Sequence, residues 1–221
     1  LHQTEESIHE SALRRQEYLE KIMYAWNNSI AENGLRKALP LQREFYREKV
    51  GKTKNKVAVI ISDAFRYEAA MDLVDRMNKN QNLTVTVDSM MATLPSFTPV
   101  GMASLLPHEE MTMKDDFTVL LDGNACGSTV QRDKILKAAN PNSLAVSYSD
   151  DLRGHMGSNE LKSLTSGAEV IYIYHNSVDI TGEGGPTEDK VFEGVETAVN
   201  EVYDIIDKFS KRGKAYNFIV T

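Results

Sequence analysis

After Lys56 the chain alternates without interruption between short apolar runs and amphipathic ones, and this order restricts the fold more than any other feature. Val57 to Ile61 reads as a strand, Tyr67 to Met77 as a helix and Leu83 to Met91 as a strand. A loop containing LPSFTP follows, with a short helix beginning near Pro99. FTVLLDGNACG then suggests a strand and tight turn, STVQRDKILKAAN a helix, SLAVSYS a strand, NELKSLTSG a helix stopped by Gly167, and AEVIYIYHN a further apolar strand. From Glu188 to Ser210 the residues Val191, Val195, Val199, Val202, Ile206 and Phe209 recur at three or four positions, the period of a helix buried on one side, and AYNFIVT supplies a final strand. Strands that alternate with helices predict a mostly parallel sheet sandwiched by helices, the α/β doubly wound class.

Residues 1–50 contain no strand-like segment. Leu13, Tyr18, Leu19, Ile22, Ala25, Trp26 and Ile30 form a helical stripe, a second helix is expected from Leu41 to Val50 after the break at Pro40, and the polar GKTKNK resembles a linker. The expected organisation is a helical leader over 1–50 and an α/β domain over 56–221. The 221 residues, 41% of them hydrophobic, are enough for one sizeable core plus an appendage. With 25 basic against 32 acidic residues, the net charge of -7 argues against a broad basic surface for nucleic acid, though not against a local groove. The lone Cys126 cannot form an intramolecular disulfide, and the sequence shows neither a signal-peptide pattern nor an apolar run of transmembrane length. The expected location is the cytoplasm, with no membrane partner. Because the chain opens on Leu1 rather than methionine and closes on a strand, it is expected to be a piece of something longer.

In sheets of this class ligands bind beyond the carboxyl ends of the strands. Asp63 follows the first strand directly, so its carboxylate is expected at that edge. It could equally cap the next helix, although a capping box would have Glu or Gln where Arg66 stands. Thr98 precedes Pro99 at a helix start, which reads as an ordinary N-cap or as a hydroxyl placed among free backbone N–H groups where a phosphate would bind. YHNSVDITGEGGP holds His175, Asp179 and Glu183 in a glycine-rich stretch that could ligate a cation or form a solvated turn. Asp150, Asp151, Arg153 and His155 could line the same edge, but read more simply as a polar surface loop.

Taken in order, these features resemble the alkaline phosphatase superfamily. More narrowly, ISDAFRYEAA, LPSFTPVGMASLLP, LLDGNACGSTVQRDKIL and IYIYHNSVDITGEG resemble successive blocks of the PglZ domain, over about Lys56 to Thr221. The resemblance implies a phosphatase or phosphodiesterase that uses two divalent cations, zinc first, with manganese and magnesium as alternatives. Asp63 would ligate one cation and Thr98, the nucleophile, would bridge to it. Asp179 would ligate the other, with Glu183, which stands where the wider superfamily often has histidine, or His175 beside it. It further implies a role in bacterial phage resistance of the Pgl and BREX kind, with other defence proteins as partners and a phosphoester substrate that extends to nucleic acid.

The superfamily also carries an Asp-His pair after a later strand and a further histidine beyond, and NFIVT ends where that pair is expected. The 221-residue piece is therefore expected to fold, to hold little or no metal and to be inactive. A sulfatase is disfavoured, because Thr98-Pro99 replaces a Cys- or Ser-based pattern and Cys126 lies in an unrelated turn. A phosphomutase and a non-catalytic scaffold for the defence complex are the alternatives.

Overall fold

The computed structural model describes residues 2–34, 39–80, 83–183, 188–211 and 216–221, with the side chains of 2–6, 158, 182, 183 and 188–191 outside the described set. The chain divides into two compact units, 1–39 and 40–221. The first is a single helix, α1 (His2–Asn33).

The second unit opens with a 3-10 turn (Gln42–Glu44) and a π-type turn (Tyr46–Val50). These turns were expected to form a helix of the leader. Instead Phe45 and Val50 are buried in the same apolar cluster as Val57 and Val59, which places them in the α/β unit. The wider turn is closed by the Gly51 N–H bonding Tyr46 O at 2.7 Å.

Next come β1 (Lys56–Ser62), α2 (Tyr67–Asn78), α3 (Thr98–Ser104), the short strands β2 (Met111–Met113), β3 (Val119–Leu121) and β4 (Asn124–Ala125), and α4 (Thr129–Ala139). The chain continues through β5 (Ser143–Ser147), a π-type turn (Tyr148–Leu152), α5 (Ser158–Leu164), β6 (Val170–His175), α6 (Ser177–Glu183), α7 (Glu188–Ser210) and β7 (Tyr216–Val220). The main sheet has the order β5-β6-β1-β7 and is parallel throughout. Its central strand explains why VAVII reads as continuously apolar. Ala58 and Ile60 face a core completed by Leu73, Val199, Val202 and Ile205, while Val57, Val59 and Ile61 face another completed by Val100, Leu106 and Leu136. A strand covered on both faces has no side on which to place polar residues.

Two strand readings need correction. Leu83 to Met90 is extended but belongs to no ladder, and the only bridge there joins Met91 to Leu41. Leu83 and Val85 pack against the core, and the strip lines a groove together with Asn217, Phe218, Val220 and Thr221 without pairing with β7. Ladder bonds need backbones about 4.8 Å apart. The strand read in FTVLL belongs to a separate antiparallel sheet, order β2-β3-β4. Its β3-β4 turn has Asp122 at φ 48° and Gly123 at φ 77°, the two left-handed residues that a tight hairpin of matching twist requires.

Candidate active-site crevice

The carboxyl ends of β1, β6 and β7 lie side by side. Ser62 pairs with His175 across β1 and β6, and the Ser62 N–H donates to Thr221 O at 2.9 Å. Asp63 leaves β1 at this edge. Its N–H donates to His175 O at 2.8 Å, and its Oδ1 accepts the Ala64 N–H at 3.0 Å. Ala64 has φ 59°, a left-handed conformation that costs a non-glycine residue about 1 kcal/mol or more and turns the chain sharply away from the strand. Asp63 therefore does not cap α2, whose N-cap position is Arg66 with no side-chain bond.

Thr98 is the first residue of α3, and Phe97 rather than Thr98 occupies the N-cap. Thr98 is near enough to the Asp63 carboxylate to favour its charged form slightly. Asp179 lies in the first turn of α6, so the stretch read as a glycine-rich loop is helical from Ser177 onward. The Asp63 carboxyl is raised above the usual aspartate range, first by burial and next by the charge of Asp179, and is pulled back by the Ala64 N–H, the Arg132 charge and the Thr98 hydroxyl. The Asp63 carboxyl thus feels both Thr98 and Asp179, although the three are remote in sequence. Glu183 closes α6 but its side chain is outside the described residues.

His175 is placed differently from a ligand. It is 1% exposed, its Nδ1 lies 2.8 Å from Ser62 Oγ, and its Nε2 lies 2.9 Å from Glu201 Oε2, so both ring nitrogens are occupied. An ionised carboxylate only accepts, so Nε2 carries the proton and Nδ1 accepts from Ser62. Burial holds the imidazole below its ordinary pKa even though Glu201 pulls the other way, which keeps it neutral near pH 7. Glu201 Oε2 also accepts from Ser177 Oγ at 2.5 Å, and the Tyr148 ring stacks at 5.0 Å from that of His175. The Tyr148 hydroxyl is pushed up to about 12, by burial first and then by the nearby Glu201 carboxylate.

Asp150 and Asp151 bond within their own turn: Asp151 Oδ2 accepts the Ser147 N–H at 2.8 Å and Asp150 Oδ1 accepts from Ser149 Oγ at 2.9 Å. Arg153 Nε stands 3.9 Å from Glu201, and His155 is exposed, 4.0 Å from Glu160.

Arg132 was not singled out from the sequence. Its guanidinium lies 4.5 Å over the Tyr174 ring, Nε donates to Cys126 O at 2.8 Å, and the charge reaches Asp63. Among the described residues no carboxylate pairs with it. Glu201 was also missed, although one signal was available: it sits three residues after Ala198 and four before Ile205, on the buried stripe of α7. A carboxylate in that position needs partners.

A parallel α/β sheet with Asp63 at its carboxyl edge is consistent with an alkaline phosphatase-like domain. Residues 43–221 match the family described as the BREX system PglZ alkaline phosphatase-like domain, and the chain belongs to that family. It is 36% identical over 216 residues to the alkaline phosphatase-like protein BrxZ of Escherichia coli O9:H4 (strain HS), an alignment that covers 92% of this chain and 24% of that protein. It is 34% identical over 186 residues to the alkaline phosphatase-like protein PglZ of Bacillus cereus (strain H3081.97), covering 83% of this chain and 22% of that protein. The chain thus spans about a quarter of the length of these curated relatives. No solved structure matches it. No helix among the described residues is long and apolar enough to cross a membrane.

Proposed function

We propose that the chain is the nucleophile-bearing part of a metal-dependent phosphoester hydrolase, a phosphatase or phosphodiesterase acting within a BREX or Pgl phage-resistance system. One observation supports this reading above others: Asp63 stands beside both the Thr98 hydroxyl and the like charge of Asp179 at the sheet edge where α/β folds bind ligands. A carboxylate whose ionisation is disfavoured by burial and by the charge of a second carboxylate is what a divalent cation relieves, so the residues fit a metal. The donors are all oxygens, which suits manganese or magnesium as well as zinc. The described residues hold no group of three or more His, Cys, Asp or Glu side chains, so further ligands would complete the site.

Asp63 and Thr98 would hold one cation and Asp179 the other, with Glu183 as the remaining candidate beside it. His175 drops out, since neither ring nitrogen is free. Bound cations would neutralise the phosphate and the leaving oxygen. The protein's own part is to orient. Thr98, placed near Asp63 at the start of α3, loses its hydroxyl proton to solvent water as its oxygen attacks in line. A Thr98 Oγ1–P bond forms as the P–O bond to the leaving group breaks, the departing oxygen takes a proton from water so that no net proton is consumed, and a second water later cleaves the phosphothreonine, releasing phosphate and returning a proton to Thr98. Arg132, fixed by Tyr174 and by the Cys126 and Gly127 carbonyls, offers its remaining N–H donors to a phosphate oxygen.

The test is turnover of aryl phosphomonoesters and phosphodiesters by the full-length protein with each metal, beside Asp63→Asn, Thr98→Ala and Asp179→Asn. Wild-type turnover that is lost in all three variants supports the reading, and undiminished turnover in any of them defeats it. A second role, docking to other defence proteins, is favoured by α1, on which Ile8, Leu13, Tyr18 and Trp26 are exposed.

A further inference from the structure

The hydrogen-bonded polar chain behind the crevice joins four elements: Ser62 from β1, His175 from β6, Ser177 from α6 and Glu201 from α7. Its order, serine to imidazole to carboxylate, is that of a nucleophilic triad. Ser62 is 5% and His175 1% exposed, so no substrate can reach either. A relay that cannot meet substrate must act on what lies next to it.

We infer that Glu201 is a positioning residue for the crevice: through Ser177 it fixes the first turn of α6, and with it Asp179, and through His175 and Ser62 it fixes the end of β1, and with it Asp63. The inference rests on the reading that these aspartates hold cations. Ser177 opens α6 two residues before Asp179, and Ser62 immediately precedes Asp63, whose own N–H is held by His175 O. One oxygen, Glu201 Oε2, accepts from both Ser177 and His175, so neither strand end nor helix start can shift without breaking a bond to a carboxylate only 13% exposed. A desolvated carboxylate left with a missing donor is costly, which makes the arrangement stiff. The close approach of α7 to α6 reinforces it, since a Cβ at Gly194 would lie 2.8 Å from Thr181.

The experiment uses the full-length protein and compares wild type, Glu201→Ala, Glu201→Gln and Val199→Ala. Val199 is fully buried on the same helix and carries no polar group, so its truncation reports loss of packing alone. Zinc and manganese affinities are measured by calorimetry, with melting temperature and amide exchange across 176–181. Glu201→Ala is expected to weaken the cation sites by roughly 10- to 100-fold, the usual effect of removing a residue that orients ligands. Glu201→Gln, which keeps one acceptor oxygen, should recover part of this, and Val199→Ala should lower the melting temperature at unchanged affinity. Wild-type affinity in Glu201→Ala, or an equal loss in Val199→Ala, overturns the inference. If wild type takes up neither metal, the metal reading of the site fails, and amide exchange decides the remainder. Loosening of α6 by Glu201→Ala and not by Val199→Ala sustains its role as the clamp, whereas equal exchange in both removes it.

Discussion

Replacing Thr98 by alanine deletes one small side chain from the start of α3, so the fold should be unaffected. On the proposed mechanism the nucleophile itself is gone. In the full-length protein Thr98→Ala is expected to lower turnover by about 10³-fold or more, with Thr98→Ser retaining part, because losing a nucleophile removes a transition-state interaction that nothing else replaces. Turnover by the alanine variant at the wild-type rate would show that water attacks directly. Arg132→Lys is expected to raise KM roughly tenfold, since an ammonium has neither the flat face that lies on Tyr174 nor the fork that binds two oxygens. An unchanged KM would remove Arg132 from substrate binding. The positions of Asp63 and Thr98 were legible because each stands where an apolar run ends or a helix begins. The two bonds that occupy the nitrogens of His175 were not, because their partners Ser62 and Glu201 lie 113 and 26 residues away and a sequence does not say which of its glutamates are buried. Arg132 escaped notice for the same reason: its partners are backbone carbonyls and a ring face, which leave no motif.

Among the elements, β1, β6 and α7 were readable because burial imposes a period on them, two-sided in the strands and every third or fourth residue in the helix. Where packing overrides local preference the reading failed. LTVTVDSMM alternates as a strand should, yet it lines a groove without pairing with β7. NSVDITGE was read as a loop from its glycines, but α6 forms there, packed on α7. The contact has a specific requirement at Gly194, where an added Cβ would meet Thr181 Cβ at 2.8 Å, Cγ2 at 2.9 Å and Oγ1 at 3.1 Å. Thr181 cannot easily turn away, because Oγ1 donates to Ser177 O at 2.8 Å. Gly194→Ala should therefore destabilise by about 1–3 kcal/mol despite the helix preference for alanine, the usual cost of overpacking. Chemical denaturation measures it, and Thr181→Ala in the same chain should restore only part of the loss, because it removes Cγ2 and Oγ1 but keeps the Cβ at 2.8 Å. If Gly194→Ala is as stable as wild type, the helices are farther apart than described.

Over the whole molecule, the α/β class and the parallel order followed from alternation, while the start of the α/β unit did not: Pro40 and the turns after it join the sheet because Phe45 and Val50 find a core there. The same deep core sets how stability depends on pH. Tyr148 is pushed up to about 12, burial first, and burial drives Tyr172 and Tyr174 further still. A phenol whose folded-state pKa is raised gives its full contribution below the ordinary value near 10 and loses it as pH rises from there through the folded value. His175 is lowered by burial, so its contribution is full above about 6.5 and lost as pH falls below that. Denaturation midpoints should accordingly show a plateau between those limits with a falling limb on each side. Two tyrosines separate the causes. The Tyr172 hydroxyl donates to Leu105 O at 2.8 Å, so Tyr172→Phe should cost about 1 kcal/mol on the plateau. The Tyr174 hydroxyl is buried without a hydrogen-bond partner among the described residues. Tyr174→Phe should then leave the plateau unchanged or raise it, because an unsatisfied polar atom is removed, and should shallow the alkaline limb, because one phenol no longer ionises on unfolding. A lower plateau in Tyr174→Phe would mean that the hydroxyl has a partner, and an unaltered alkaline limb would mean that its ionisation is not linked to folding.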